Sequence, residues 1–124
     1  MQDRQYVIQQ HTTADGVHWD LMLEQDGMLT TFRLEQVPTT GLTAKIRAEK
    51  IFDHPLRFLT YEGPVQQGTG KVCIADQGTY RTEERSEDAI ALDFKGQTLR
   101  GDFTLTHVHE TFWELARTDP PAQD

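Results

Sequence analysis

The sequence predicts a mostly β protein, a small closed or nearly closed antiparallel β-barrel with at most short helical turns. Apolar residues alternate with polar ones at period two far more often than they recur at helical spacing, in short runs bounded by Gly, Asp and Pro. Tight-turn signals join successive runs: Gln25-Asp26-Gly27 and Lys95-Gly96 each supply a glycine for positive φ, so consecutive strands should pair antiparallel. Many short strands must also dispose of their exposed edges, and closure does so.

In chain order, strands are expected at residues 6–11, 18–24, 28–34, 58–61, 71–74, 78–83, 89–94, 98–106 and 112–117. Residues 42–50 read both ways, because Leu42 and Ile46 fall at helical spacing while Ala44, Ile46 and Ala48 alternate as in a strand. Ser86-Glu87-Asp88 could cap one helical turn. Asp119-Pro120-Pro121 halts regular structure, so a single domain is expected over residues 1–117, followed by a flexible C-terminal tail at 118–124.

The chain of 124 residues is long enough for one hydrophobic core and too short for two domains. Hydrophobic residues at 36%, with two Trp, six Phe and three Tyr, argue against disorder despite a mean hydropathy of -0.62. Twelve Lys and Arg against twenty Asp and Glu leave a net charge of -8, the wrong sign for holding nucleic acid by broad phosphate neutralisation, so any polyanion contact must be local. The single cysteine, Cys73, rules out an intrachain disulfide and a cysteine-based zinc site within one chain, which fits a reducing cytoplasm. No signal-peptide core and no apolar run of ~20 residues is present, so a soluble, cytoplasmic protein without a membrane partner is expected.

The chemistry gathers in His11, in His18-Trp19-Asp20 and in Asp53-His54-Pro55. On the strand 18–24, His18, Asp20, Met22 and Glu24 face one way and Trp19, Leu21 and Leu23 the other, so the second set is core. His11 ends the preceding strand, and two imidazoles and a carboxylate can therefore converge. That donor set suits Mn, Fe or Zn and leaves positions open for water or a substrate oxygen. A solvated strand face accounts for His-x-Asp alone; its company adds weight, because Pro55 biases His54 to an extended conformation in a loop. Other candidates have plainer readings. Cys73 is a packed or merely tolerated thiol, and His107 and His109 mark a solvated strand end. Gly68-Thr69-Gly70-Lys71 lacks P-loop spacing and reads as a hairpin turn, while Trp19 and Trp113 belong to the barrel core.

The strings YVIQQH at 6–11, HWDLMLEQDGML at 18–29, DHPL at 53–56, YEG at 61–63, GTGKV at 68–72, DQGTY at 76–80 and LRGDFTL at 99–105 run in order along nearly the whole chain. Together they resemble the 3′-phosphoesterase domain of bacterial DNA ligase D. The resemblance implies a compact β-barrel that uses a divalent metal, Mn above Zn or Fe, to remove 3′-phosphates and 3′-terminal ribonucleosides from DNA ends. It implies His11, His18 and Asp20 as metal ligands, with His18, Asp20 and His54 in catalysis and His54 contacting phosphate or moving a proton. The implied partners are DNA or RNA-DNA 3′ ends and a separate ligase or polymerase.

Departures from the pattern stand beside these matches. Six residues rather than five separate His11 from His18, which a looser turn at Asp15-Gly16 would absorb. Met22 stands where the family has an arginine, Phe52 where it has an acidic residue, Phe58 where it has a tyrosine, and Gln36 near its lysine. Phosphoester cleavage needs cations where negative charge develops. Arg33, Lys45, Arg47, Lys50 and Arg57 form the main basic concentration and are candidates to supply one. Two rivals follow: a binding module that keeps the fold without turnover, and a cupin-like non-haem metal oxygenase with His54 as a ligand.

Overall fold

The computed structural model describes residues 3–38, 45–65 and 70–118. Its strands are β1 (Arg4–Thr13), β2 (Gly16–Gln25), β3 (Met28–Leu34), β4 (Ile46–His54), β5 (Gly63–Pro64), β6 (Lys71–Arg85), β7 (Ala89–Gly96), β8 (Arg100–His109) and β9 (Phe112–Arg117), with a 3-10 turn at Leu56–Leu59. They pair in the order β1-β2-β3-β4-β9-β8-β7-β6, and β6 returns to β1, closing an eight-stranded antiparallel barrel. The two-residue β5 adds to the start of β6, outside the ring.

The expected barrel is therefore present, and its departures from the expected strands have local causes. At the β2–β3 hairpin, Asp26 and Gly27 both have positive φ, 54° and 82°, as a two-residue turn matched to strand twist requires. Lys95-Gly96 is not the next turn, because both residues belong to β7 and the chain reverses at 97–99. Gly96 serves close packing instead: a Cβ there would lie 1.8 Å from the Tyr6 hydroxyl oxygen.

That hydroxyl donates to Asp76 Oδ2 at 2.7 Å, and the same carboxylate accepts from the backbone N–H of Thr98 and Leu99. Residues 75–77, which fall between two expected strands, thus lie in the middle of one continuous strand. β6 is long because it pairs with β1 through Tyr80 and with β7 from Gly78 onward, with a register shift opposite Ile8 and Gln9.

Residues 46–54 resolve as a strand, since Ile46 and Ala48 alternate into the core; 42–44 lie outside the described residues. The strand expected at 58–61 is instead the 3-10 turn and the segment after it, entered through Pro55 at φ -66°. Ser86 starts no helical turn: its N–H donates to Ala89 O across a reversal between β6 and β7. Thr118, expected in the tail, still donates its N–H to Asp102 O, and residues 119–124 lie outside the described residues. No described helix is long and apolar enough to cross a membrane.

The barrel interior holds Tyr6, Ile8, Leu21, Leu23, Phe32, Phe94, Phe103, Leu105 and Leu115, with Trp19 and Trp113 half-buried against them. Each fully enclosed Leu or Phe contributes roughly 1.5–3 kcal/mol. A smaller cluster, Val7, Met22 and Leu29, lies on the opposite face of β1–β3 and is covered by Phe58, Leu59 and Ile74. The 3-10 segment is therefore a roof on the outside of the barrel, and the candidate site lies beneath and beside it. Cys73 is exposed on β6, a tolerated thiol.

Candidate metal centre

The first hairpin sets the geometry. Thr13 pairs with Gly16 across a two-residue turn, and the Thr13 hydroxyl contacts Gly16 O and the Asp15 N–H. The six residues between the histidines thus make a tight turn rather than a loosened one. An even count around it sets His11 directly opposite His18, and Asp20 opposite Gln9. Since Ile8 and Leu21 point into the barrel, His11, His18 and Asp20 share the outer face.

His11 Nδ1 lies 3.1 Å from His18 Nε2, His18 Nε2 3.4 Å from Asp20 Oδ1, and His11 Nδ1 4.0 Å from Asp20 Oδ2. Donor atoms from the three residues all fall within 4.8 Å of one another. Atoms bound ~2.1 Å from a common ion stand roughly 3.0–3.4 Å apart, so two of these separations already match and the third needs slight closure. Asp20 Oδ1 is buried and makes no hydrogen bond among the described residues. A buried anionic oxygen left unpaired while two imidazoles face it fits a divalent cation.

The electrostatics agree. Burial lowers the pKa of His18 to about 4, with Arg33 and His11 pushing the same way. Burial raises Asp20 to about 6, against Arg33 and His11. At neutral pH, His18 is a neutral lone-pair donor and Asp20 an anion, the forms that ligate.

His54 arrives from β4, where pairing with Leu29 brings it over β3. The Thr31 hydroxyl, 2.9 Å from His54 Nδ1, donates its one proton to Leu29 O, so Nδ1–H donates to Thr31 and Nε2 is left for other work. The ring stacks on Phe52 at 4.7 Å and 20° and meets the Phe58 ring edge-on. Burial holds His54 below its ordinary value, although the Phe52 carbonyl and Asp53 pull upward.

A cavity of about 340 Å³ brings these parts together, with His11, Asp20 and His54 on its wall beside Met22, Phe52 and Phe58. The structure therefore assembles all four residues named from sequence: the three ligand candidates form one cluster, and His54 shares the cavity with two of them. Two of the positions where the chain departs from the expected pattern differ in setting. Met22, 1% exposed, belongs to the apolar floor, whereas Phe52 is 73% exposed.

Gln9 was missed from sequence, although its place two residues before His11 on the same strand face could have revealed it. Its Nε2 donates to both Phe58 O and Tyr61 O at 3.0 Å, tying the roof to β1. The basic residues also separate. Arg33 is the cross-strand neighbour of Asp20, and Arg57 lines the cavity. Lys45 pairs with Glu114, and Arg47 lies over the Phe112 ring on the β4–β9 side. His107 and His109 form no cluster with a third ligand among the described residues.

Comparison with known proteins gives the family. Residues 9–107 match the family model of the DNA ligase D 3′-phosphoesterase domain. The multifunctional non-homologous end joining protein LigD of Mycobacterium bovis is 31% identical over 115 residues, covering 87% of this chain and 15% of that protein. The LigD of Pseudomonas aeruginosa is 33% identical over 117 residues, covering 92% of this chain and 13% of that protein. The chain thus spans about 15% of the length of such relatives. By the match over 9–107 and by these identities, the chain belongs to the DNA ligase D 3′-phosphoesterase domain family.

Proposed function

We propose that the chain is a Mn-dependent phosphoesterase that clears 3′-phosphates or 3′-terminal ribonucleosides from DNA or RNA-DNA ends in cytoplasmic DNA repair, beside a separate ligase or polymerase. The observation that carries this reading is the cluster of His11, His18 and Asp20 around an unpaired buried carboxylate oxygen, next to His54 in one cavity. A divalent ion held by the three residues supplies Lewis acidity toward a phosphate oxygen and lowers the pKa of water. His54, fixed through Nδ1 to Thr31, keeps Nε2 to contact the phosphoryl group or transfer a proton. Gln9 holds the 56–61 roof down over the site.

The test is release of phosphate from a 3′-phosphorylated primer-template with Mn, run beside His18→Ala. The substitution should cost at least about 100-fold in rate, and unchanged activity would sink the site assignment.

A second reading, a metal-binding module without turnover, is favoured by burial of Met22 where the family has an arginine. Metal binding by a chain that releases no phosphate would select it. The oxygenase reading needs His54 as a ligand, yet the cluster forms from His11, His18 and Asp20, and His54 Nδ1 is committed to Thr31.

A further inference from the structure

We propose that Arg33 and Arg57 form the phosphate-holding cationic pair of this site, replacing the arginine whose position on β2 is taken by Met22. The inference rests on the phosphoesterase reading and names the residues that would hold its substrate.

Sheet register sets Arg33 beside the ligand cluster, although it is not among the residues that line the cavity. It lies directly across from Asp20 on β3, on the same outer face, one strand away from the ligand cluster. It is exposed, and it makes no hydrogen bond or ion pair among the described residues; Glu49, its neighbour on β4, is not within ion-pair distance. Its charge is nevertheless felt by His18, Asp20 and His54 alike. A guanidinium that acts on all three and is engaged by none is available to an anion held between them.

Arg57 comes from the 3-10 turn and lines the same cavity as His11, Asp20 and His54. Its guanidinium sits 5.0 Å from the centre of the Phe58 ring, a cation–π contact that limits its freedom without using its N–H donors. Phe58 thus gains a role that its missing hydroxyl does not explain. The planar fork of arginine matches phosphate oxygens two at a time, so two arginines can serve where the chain as a whole, at -8, repels polyanions. Other cations lie elsewhere or are engaged: Arg47 stands over Phe112 on the β4–β9 side, away from the cavity lining, while Lys45 pairs with Glu114, Arg81 with Asp3 and Arg85 with Gln25.

The experiment is calorimetric titration of inorganic phosphate into protein loaded with stoichiometric Mn, comparing the wild type with Arg33→Ala, Arg57→Ala, the double variant and the control Lys45→Ala. Each single substitution should weaken phosphate binding roughly ten- to hundredfold, with partial recovery in Arg33→Lys and Arg57→Lys, while Mn still binds each variant and phosphate binding by the control stays unchanged. Wild-type phosphate binding in both alanine variants, or none in the wild type, overturns the pair. Cleavage of a 3′-phosphorylated primer is scored on the same proteins. Arginine-dependent phosphate binding without cleavage rejects the phosphoesterase reading and leaves the pair standing, whereas cleavage with arginine-independent binding rejects the pair alone.

Discussion

His11 Nδ1 and His18 Nε2 stand 3.1 Å apart across the first hairpin, at directly opposed positions of β1 and β2. The contact arises from the two-residue turn, and it leaves the buried Asp20 carboxylate to complete the cluster. The two ring nitrogens stand at hydrogen-bond distance, while Asp20 Oδ1 accepts no hydrogen bond among the described residues.

That carboxylate should cost stability until a cation neutralises it. Its rise from 3.8 to about 6, with a side chain only 6% exposed, corresponds to a penalty on the order of 3 kcal/mol for holding the anion in metal-free protein above pH 6. Asp20→Asn should therefore raise the melting temperature in chelator at pH 7.5 and abolish the upward shift caused by Mn. Thermal melts with and without Mn check both halves; a variant less stable than wild type in chelator contradicts the argument.

Metal affinity should fall as pH drops through about 6, because Asp20 takes up a proton there. Of Asp20 and His18 it is Asp20 that protonates over that range, whereas His18, at about 4, stays neutral. For stability without metal the signs oppose. The folded state gains from Asp20 protonation as pH falls from about 6 toward 3.8, and loses through His18 as pH falls from 6.5 toward about 4. Titration calorimetry with Mn between pH 5 and 8 should show affinity falling toward the acid end, and falling less in Asp20→Asn.

Simple restoration of the family arginine should fail. Met22 is buried among Val7, Leu29, Phe58, Leu59 and Ile74, so Met22→Arg places a charge in an apolar cluster and should cost about 3 kcal/mol or more, or lift the 3-10 roof. Met22→Leu should stay within about 1.5 kcal/mol. Urea unfolding of both variants measures the difference.

Gln9→Ala removes a side chain that ties the roof to β1 through two carbonyls. Loss of these bonds should cost about 1–3 kcal/mol, with faster hydrogen exchange concentrated in residues 56–63 and Mn affinity largely kept. Exchange spread evenly over the barrel would show that Gln9 has no special hold on that segment.

Much of the barrel was legible because period-two alternation and turn residues are local. Met28–Leu34 and Phe112–Arg117 have the bounds their alternation predicts, and the Asp26-Gly27 turn sits where glycine permits positive φ. The misreadings arose where a distant partner decides the local structure. Residues 75–77 divide two expected strands until Tyr6 comes against Asp76, and 58–61 alternates like a strand until Gln9 holds its carbonyls.

By itself, the sequence determined the alternation that puts His18 and Asp20 on one face and Leu21 and Leu23 on the other, because side-chain direction follows from strand pleat alone. It also carried the ordered motifs of the family. Tertiary structure decided which cations reach the site and which residues roof it. Arg33 meets Asp20 only through the β2–β3 register, and Arg57 and Phe58 approach His11 only because Gln9 and the cluster around Met22 dock the 3-10 turn on the outside of the barrel. The Gln9 bonds join residues some 50 positions apart, and spacing along the chain carries no record of them.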